Sequence, residues 1–364
     1  MTSLTAAHAA RLAAPLELAG RGTPRTLHCR VLQSPLAGVS DQIFRGLVRR
    51  WAPDALLFTE MVNATSLELG HGRFKIDALA AENGPIGVQL FDHRPAAMAE
   101  AARRAEAAGA FLIDINMGCP VRKIARKGGG SGLILQPELA ARIVDAVAAA
   151  VTIPVTVKTR LSWCHVEVPG GAHGFAEASG FAEASAQPAI MAATAWCRQL
   201  EGAGAQLLTL HGRSREQGFK GRANWHAIAA VKRALTIPLI ANGDITSPAE
   251  ALRALELTAA DGVMVGRGTM GAPWLVGQIA AALAGRPVPT TPGPAAKLAL
   301  AAEQLQALVA ARGDHGLLIA RKHLSWTCTG FTGAPQLRHA LMRAPTPAAA
   351  LALLAAAQEQ EQAL

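Results

Sequence analysis

FLIDINMGCPVRKIARKGGGSG, residues 111–132, is the stretch whose reading decides the fold. FLIDINM is a β-rich run too short for a helix and apolar enough to be buried on both faces. Its polar end opens into a basic, glycine-rich loop, and alanine-rich helical sequence follows. The same unit recurs on either side. CRVLQSPLAG (29–38), ALLFTEM (55–61) and PIGVQLF (85–91) precede it; PVTVKTR (154–160), LLTLHGR (207–213), PLIANGD (238–244) and GVMVGRG (262–268) come after. Eight alternations of strand and helix predict an α/β chain folded as a (β/α)8 TIM barrel. TIPVTVKTR (152–160) and TIPLIANGD (236–244) echo one another, as repeated βα units do.

The length, 364 residues, suits one large domain and one small one. With 51% hydrophobic and only 17% charged residues, a sizeable core is expected and a largely disordered chain is excluded. The barrel is expected over 28–289. TTPGPA (290–295) reads as a linker, and 296–364, rich in Ala, Leu and Gln, as a small helical domain. Residues 1–27 read as a flexible tail without the features of a signal peptide. An insertion is expected near 161–190, where GFAEAS occurs twice in tandem, at 174–179 and 180–185. The five cysteines are odd in number and widely spaced, so neither a disulfide framework nor a metal site is expected. No window of 18 apolar residues predicts a membrane span. A cytoplasmic monomer is expected, and the net charge of +9 suits a polyanionic partner.

Polar residues end the strands: Gln89, Asn116, Lys158, His211, Asn242, Asp244 and Arg267. In a barrel of this kind the C-terminal ends of the strands carry the active site. Cys119 follows the fourth strand, with Arg122, Lys123, Arg126 and Lys127 just after it. A thiol beside so much positive charge is a candidate for reactivity, although an isolated cysteine is more often a small hydrophobe. Asn242-Gly243-Asp244 and Gly266-Arg267-Gly268 end the last two strands, where backbone amides commonly bind phosphate in this fold. Lys158 lies in an otherwise apolar strand and needs an anionic partner or a ligand. His211 is as readily structural as ligand-binding.

SPLAGVSDQIFR (34–45), INMGCPVRK (115–123), PVTVKTR, LHGRSREQGFKG (210–221), IANGDI (240–245) and VGRGTMGAPW (265–274) resemble the tRNA-dihydrouridine synthases. GCP with its basic run and ARKHLSW (320–326) are most similar to the bacterial B-type branch, and the resemblance extends over roughly 28–345. It implies FMN lined by Pro35, Leu36 and Ala37, with Leu36 where the family more often has Met. It further implies that Gln89, Lys158 and His211 contact the flavin. Asn242, Gly243, Asp244, Gly266 and Arg267 would hold its phosphate and ribityl end. Asn116 would position the target base and Cys119 would be the catalytic acid. The insertion and the complete absence of tyrosine depart from the family pattern.

The implied reaction is reduction of a uridine in tRNA to 5,6-dihydrouridine. NADPH, or alternatively NADH, would reduce the flavin, hydride would pass to carbon 6 of the base, and Cys119 would protonate carbon 5. Written the usual way round, dihydrouridine and NADP give uridine and NADPH. Arg122 to Lys127, Arg213 to Arg222, and a C-terminal set including Arg321 and Lys322 would hold the RNA backbone. Two rivals remain. A small-molecule flavoenzyme of the dihydroorotate or dihydropyrimidine dehydrogenase kind would need no basic C-terminal domain. A non-catalytic RNA-binding protein would bind no flavin.

Overall fold

In the computed structural model, residues 5–164 and 180–363 are described, with side chains from 187 onward in the second segment. The barrel strands are β1 (Val31–Gln33), β2 (Leu57–Phe58), β3 (Ile86–Phe91), β4 (Leu112–Met117), β5 (Val155–Arg160), β6 (Leu207–His211), β7 (Leu239–Asn242) and β8 (Gly262–Val265). Each lies in one of the eight runs. They form a parallel sheet in the spatial order β1-β8-β7-β6-β5-β4-β3-β2. A bridge between Leu32 and Leu56, with Gln33 N donating to Leu56 O at 3.0 Å, brings β1 to β2 and closes the ring. The expected barrel is therefore present.

The period-two alternation of the strands explains where their polar residues go. Ile113, Ile115, Val155, Val157, Leu208 and Leu210 pack in the large core shared with the surrounding helices. The alternate positions lie on the other face. At the lower end these are Leu32, Leu56, Phe58, Leu112, Leu207, Ile240 and Met264, a separate buried cluster. Gly87 makes room there, because a Cβ at that position would sit 2.6 Å from the Phe58 ring. Continuing upward by twos, the same face carries Asp114 and Asn116 on β4, Thr156, Lys158 and Arg160 on β5, and Thr209 and His211 on β6. The interior thus changes from an apolar floor to a polar mouth. Local signals start the outer helices: proline opens Pro95–Ala107, Pro137–Ala150 and Pro248–Thr258, and Asn224 caps Trp225–Ala234 by accepting from Ala227 N.

The N-terminal segment, expected to be a flexible tail, is structured instead. Ala6–Ala13 is a helix, and Leu16–Leu18 pairs antiparallel with Arg25–Leu27. Leu18 and Leu27 of this hairpin join the barrel-floor cluster, each about 1% exposed. Arg30 ties the segment down by donating to Arg11 O at 2.8 Å and Ala14 O at 2.7 Å, and His8 Nε2 meets Ala260 O at 2.9 Å. Strands of three residues carry no readable alternation; their order comes from burying two leucines beneath the barrel.

The expected insertion falls mainly on residues 165–179, outside the described residues, and the first GFAEAS lies wholly among them. The second copy is no loop: it begins the helix Gly180–Gly202. The C-terminal helices Pro294–Arg312, His315–Thr327, Ala334–Arg343 and Pro347–Gln362 pack around their own core, including Leu298, Leu305, Leu324 and Leu354. This bundle meets the barrel tightly at Gly271, where a Cβ would lie 2.4 Å from the Trp326 backbone. At the same seam His323 packs between the Phe44 and Trp326 rings, with centroids at 5.9 and 5.4 Å. Burial pushes His323 down to about 4, so it is neutral.

Candidate active site

A cavity of about 720 Å³ opens at the C-terminal end of the strands. Pro35, Leu36, Ala37, Gln89, Lys158, His211, Asn242, Gly243, Asp244, Gly266 and Arg267 line it, together with Asn116 and Cys119. The strand ends and the turns that follow them therefore bring these candidates to one place. Among the lining residues not anticipated are Arg160, Met61 and Phe219. Arg160 stands two positions beyond Lys158 on β5, so period two would have found it. Met61 and Phe219 carry no local signal.

Hydrogen bonds fix the Cys119 loop. Asn116 Oδ1 accepts from Gly118 N at 3.1 Å and Cys119 N at 2.9 Å. Arg160, 3% exposed, donates to Gly118 O at 2.8 Å and to Ser214 O and Gly218 O at 2.9 Å each. It so joins the Cys119 loop to the turn that presents Phe219. The Phe219 ring, 57% exposed, lies 5.7 Å from the Arg160 guanidinium and 4.8 Å from that of Arg267.

Burial raises the Cys119 thiol above its ordinary value, outweighing the Val121 backbone hydrogen bond and the charges of Arg160 and Lys158, which pull it down. The thiol is therefore protonated near neutrality. Arg122, Lys123, Arg126 and Lys127 are exposed, the first two on the short helix Arg122–Ala125. The expectation that this basic run activates the thiol is corrected: its charged neighbours come from β5, and desolvation dominates. Burial also pulls Lys158 down to about 8, Arg160 adding to the effect and Asp114 opposing it. His211 is held well below its ordinary value by burial and by the surrounding cations. Its Nε2 accepts from Arg213 at 3.3 Å, which requires the neutral ring.

Lys158 Nζ donates to Asn242 Oδ1 at 3.1 Å, its one hydrogen bond among the described residues. An ammonium has three N–H donors, so two are left for a ligand in the cavity that Lys158 lines. Asn242 is oriented in turn by donating to Met264 O at 2.8 Å. The turn after β7 has left-handed backbone at Gly243 (φ 115°) and Asp244 (φ 56°). A Cβ on Gly243 would stand 2.7 Å from the Ala223 Cβ, so only glycine fits. The Asp244 carboxylate is already engaged by Arg213 at 2.7 and 2.8 Å and by Ala223 N at 2.7 Å. Only the backbone of this turn is left for an anion. Arg267, about half exposed, stands 3.9 Å from Asp244.

The remaining basic candidates separate by burial. Arg213 is 2% exposed and donates to Lys220 O and Gly221 O, so it is a brace, whereas Lys220 and Arg222 are exposed. Arg321 and Lys322 do not line the cavity. Arg321 is half-buried and donates to Ala344 O at 3.3 Å. Lys322 Nζ lies at the domain seam, 2.9 Å from where a Cβ on Gly38 would be. Arg343 is exposed, and Arg312 stacks on Phe74 at 4.7 Å. Among the described residues no cluster of His, Cys, Asp and Glu is built to hold a metal, and no helix is long and apolar enough to cross a membrane.

The sequence is similar to proteins of known kind. The family model described as dihydrouridine synthase matches residues 32–168 and 189–362. Its gap coincides with the tandem repeat. A probable tRNA-dihydrouridine synthase 1 from Synechocystis sp. is 49% identical over 87% of this chain and 83% of its own length. The tRNA-dihydrouridine synthase B of Xanthomonas axonopodis pv. citri is 38% identical over 91% of this chain and 93% of its own. Among solved structures, histamine dehydrogenase from Rhizobium sp. 4-9 superposes with a TM-score of 0.52 at 14% identity, over 75% of this chain and 48% of that one, a likeness of fold alone. With both matched segments spanning the barrel and the C-terminal bundle, the chain belongs to the dihydrouridine synthase family, a family of oxidoreductases.

Proposed function

We propose that this protein reduces a uridine of tRNA to 5,6-dihydrouridine, with FMN held in the barrel mouth and NADPH as the electron source. The observation that carries the reading is a protonated thiol, Cys119, lining the same cavity as the β7 and β8 turns and the donor-rich Lys158. The curated relatives' names support the substrate class.

The residues fit a flavin nucleotide. The backbone after β7 and β8 suits its phosphate, with Arg267 adding charge-assisted hydrogen bonds. Lys158 has spare N–H donors for the flavin ring, and Gln89 lines the same cavity. Pro35, Leu36 and Ala37 give an apolar surface for a flat ring. FMN, when bound, supplies hydride transfer. Hydride addition at carbon 6 of uracil requires a proton at carbon 5, and the Cys119 thiol delivers it. Burial suits Cys119 for this, because an acid must hold its proton until the base arrives. Arg160 and Asn116 keep its loop in register, and the base leaves its stack to reach the mouth. The exposed cations Arg122, Lys123, Lys220 and Arg222 near the mouth, with Lys322 and Arg343 on the bundle, meet tRNA phosphates.

The direct test is mass-spectrometric mapping of dihydrouridine in tRNA from a strain lacking the gene. Loss at a defined position, restored by the wild-type gene, is expected; an unchanged map removes the activity. The purified protein should be yellow and release FMN on denaturation. Arg267→Ala should raise the FMN dissociation constant roughly 10-fold, the low end for a charged hydrogen bond because the side chain is half exposed. A colourless protein that takes up no added FMN ends the flavin reading.

Charge removal probes the RNA surface. Arg321 is unsuitable because it braces the bundle through Ala344. Lys322→Ala with Arg343→Ala should weaken tRNA binding roughly 10-fold at moderate salt and lower the salt-dependence slope by about 1 to 2. NADPH oxidation should not change. Unaltered tRNA affinity moves the contact surface elsewhere.

A further inference from the structure

Asp114 lies between the apolar floor of the barrel and its polar mouth, and nothing in the reaction described above uses it. It is 1% exposed and in register with Gln89 on β3 and Thr156 on β5. Its Oδ1 accepts from Thr156 Oγ1 at 2.7 Å and its Oδ2 from Gln89 Nε2 at 2.5 Å. Gln89 Oε1 then accepts from Asn116 Nδ2 at 2.8 Å. Asn116 Oδ1 accepts in turn from the backbone amides of Gly118 and Cys119.

This chain has a direction fixed from both ends. A carboxylate can only accept, so the Gln89 atom that faces Asp114 is its amide nitrogen. Backbone N–H groups can only donate, so the Asn116 atom that faces the Cys119 loop is its oxygen. The two amides between them can then take one orientation each. We infer that Asp114 is a positioning residue: through Gln89 and Asn116 its buried acceptor holds the Cys119 loop in place. The inference deepens the proposed reaction and rests on that reading for its role in catalysis, but the hydrogen-bond chain can be tested without cofactor.

Removing the acceptor strands the amide nitrogen of Gln89, a fully buried side chain. An acceptor within the same chain of bonds is Asn116 Oδ1. The two amides would rotate together, and the Gly118 and Cys119 amides would lose their partner. The loop should then open more often and expose the thiol.

The experiment is peptide-resolved labelling of the apoprotein with N-ethylmaleimide at pH 7.5, read at Cys119 by mass spectrometry. Asp114→Leu, close in size and without an acceptor, should label Cys119 roughly 10-fold faster than wild type. Asp114→Asn keeps an acceptor oxygen for Gln89 and should label within about 2-fold of wild type. Two outcomes overturn the inference: a wild-type rate in the Leu variant, or an equal increase in both, which would assign the role to charge. Should the Leu variant fail to fold, Gln89→Leu cuts the same chain one link nearer the thiol and must raise labelling itself; a wild-type rate there also overturns it. Failure of the proposed reaction would show separately, as absent dihydrouridine in wild-type assays with labelling unaffected.

Discussion

Cys119→Ala is expected to cut tRNA reduction by about 10²–10⁴-fold, the usual contribution of a positioned general acid. Reduction of the bound flavin by NADPH should proceed near the wild-type rate, because that half-reaction needs no proton at uracil. Cys119→Ser should be nearly as poor, since a hydroxyl is a much weaker acid than a thiol. A purely structural Cys119 gives a different pattern. The thiol side chain is only partly buried, and its loop is held by Asn116 and Arg160, which touch its backbone. Loss of packing alone would therefore change stability or FMN retention and leave the rate per bound flavin intact. Single-turnover oxidation of pre-reduced enzyme by tRNA distinguishes the two. A wild-type rate in the Ala variant assigns the proton to solvent or another group.

Lys158→Met is expected to impair both half-reactions. The substitution conserves length and removes the cation whose spare N–H donors are left for a ligand in the cavity. A hydrogen bond to a charged group contributes about 1.5–3 kcal/mol, so FMN affinity or its rate of reduction should fall by about 10- to 150-fold. Stopped-flow reduction by NADPH reads this directly, and a wild-type rate with wild-type FMN affinity would remove Lys158 from the flavin site. A second signature needs no cofactor. Folding lowers Lys158 from 10.5 to about 8, so between these values the unfolded chain holds a proton that the folded protein lacks. Stability contributed by this group therefore rises with pH across that window and is lost as pH falls through it. Urea titrations from pH 8 to 10.5 should show this extra slope in wild type and not in the Met variant.

The barrel was legible because parallel strands buried on both faces leave near-continuous apolar runs, and several of the eight runs carried that mark. The site was legible because polar residues accumulate at one end of those runs. Other features depend on partners distant in sequence. The hairpin of Leu18 and Leu27 is stabilised by a floor built from strands up to β8, and no local pattern announces it. Arg213 and Arg321 looked like RNA contacts in a basic stretch, yet the fold commits both to backbone carbonyls. Cys119 shows the same limit in its electrostatics. The adjacent cations in sequence point into solvent, and the thiol instead meets Arg160 and Lys158 from the next strand. Phe219 is set at the mouth by a turn that Arg160 pins, which no spacing rule reveals.

The hairpin has a practical bearing on how the protein is cut for expression. The match to the family model begins at residue 32, one residue into β1. A fragment trimmed to that boundary would discard Leu18 and Leu27 along with the Arg30 anchor, leaving Leu32, Leu56, Phe58 and Leu112 facing water from below. The segment outside the matched region is the cork of the vessel, and an insoluble truncation would say nothing against the activity of the whole chain.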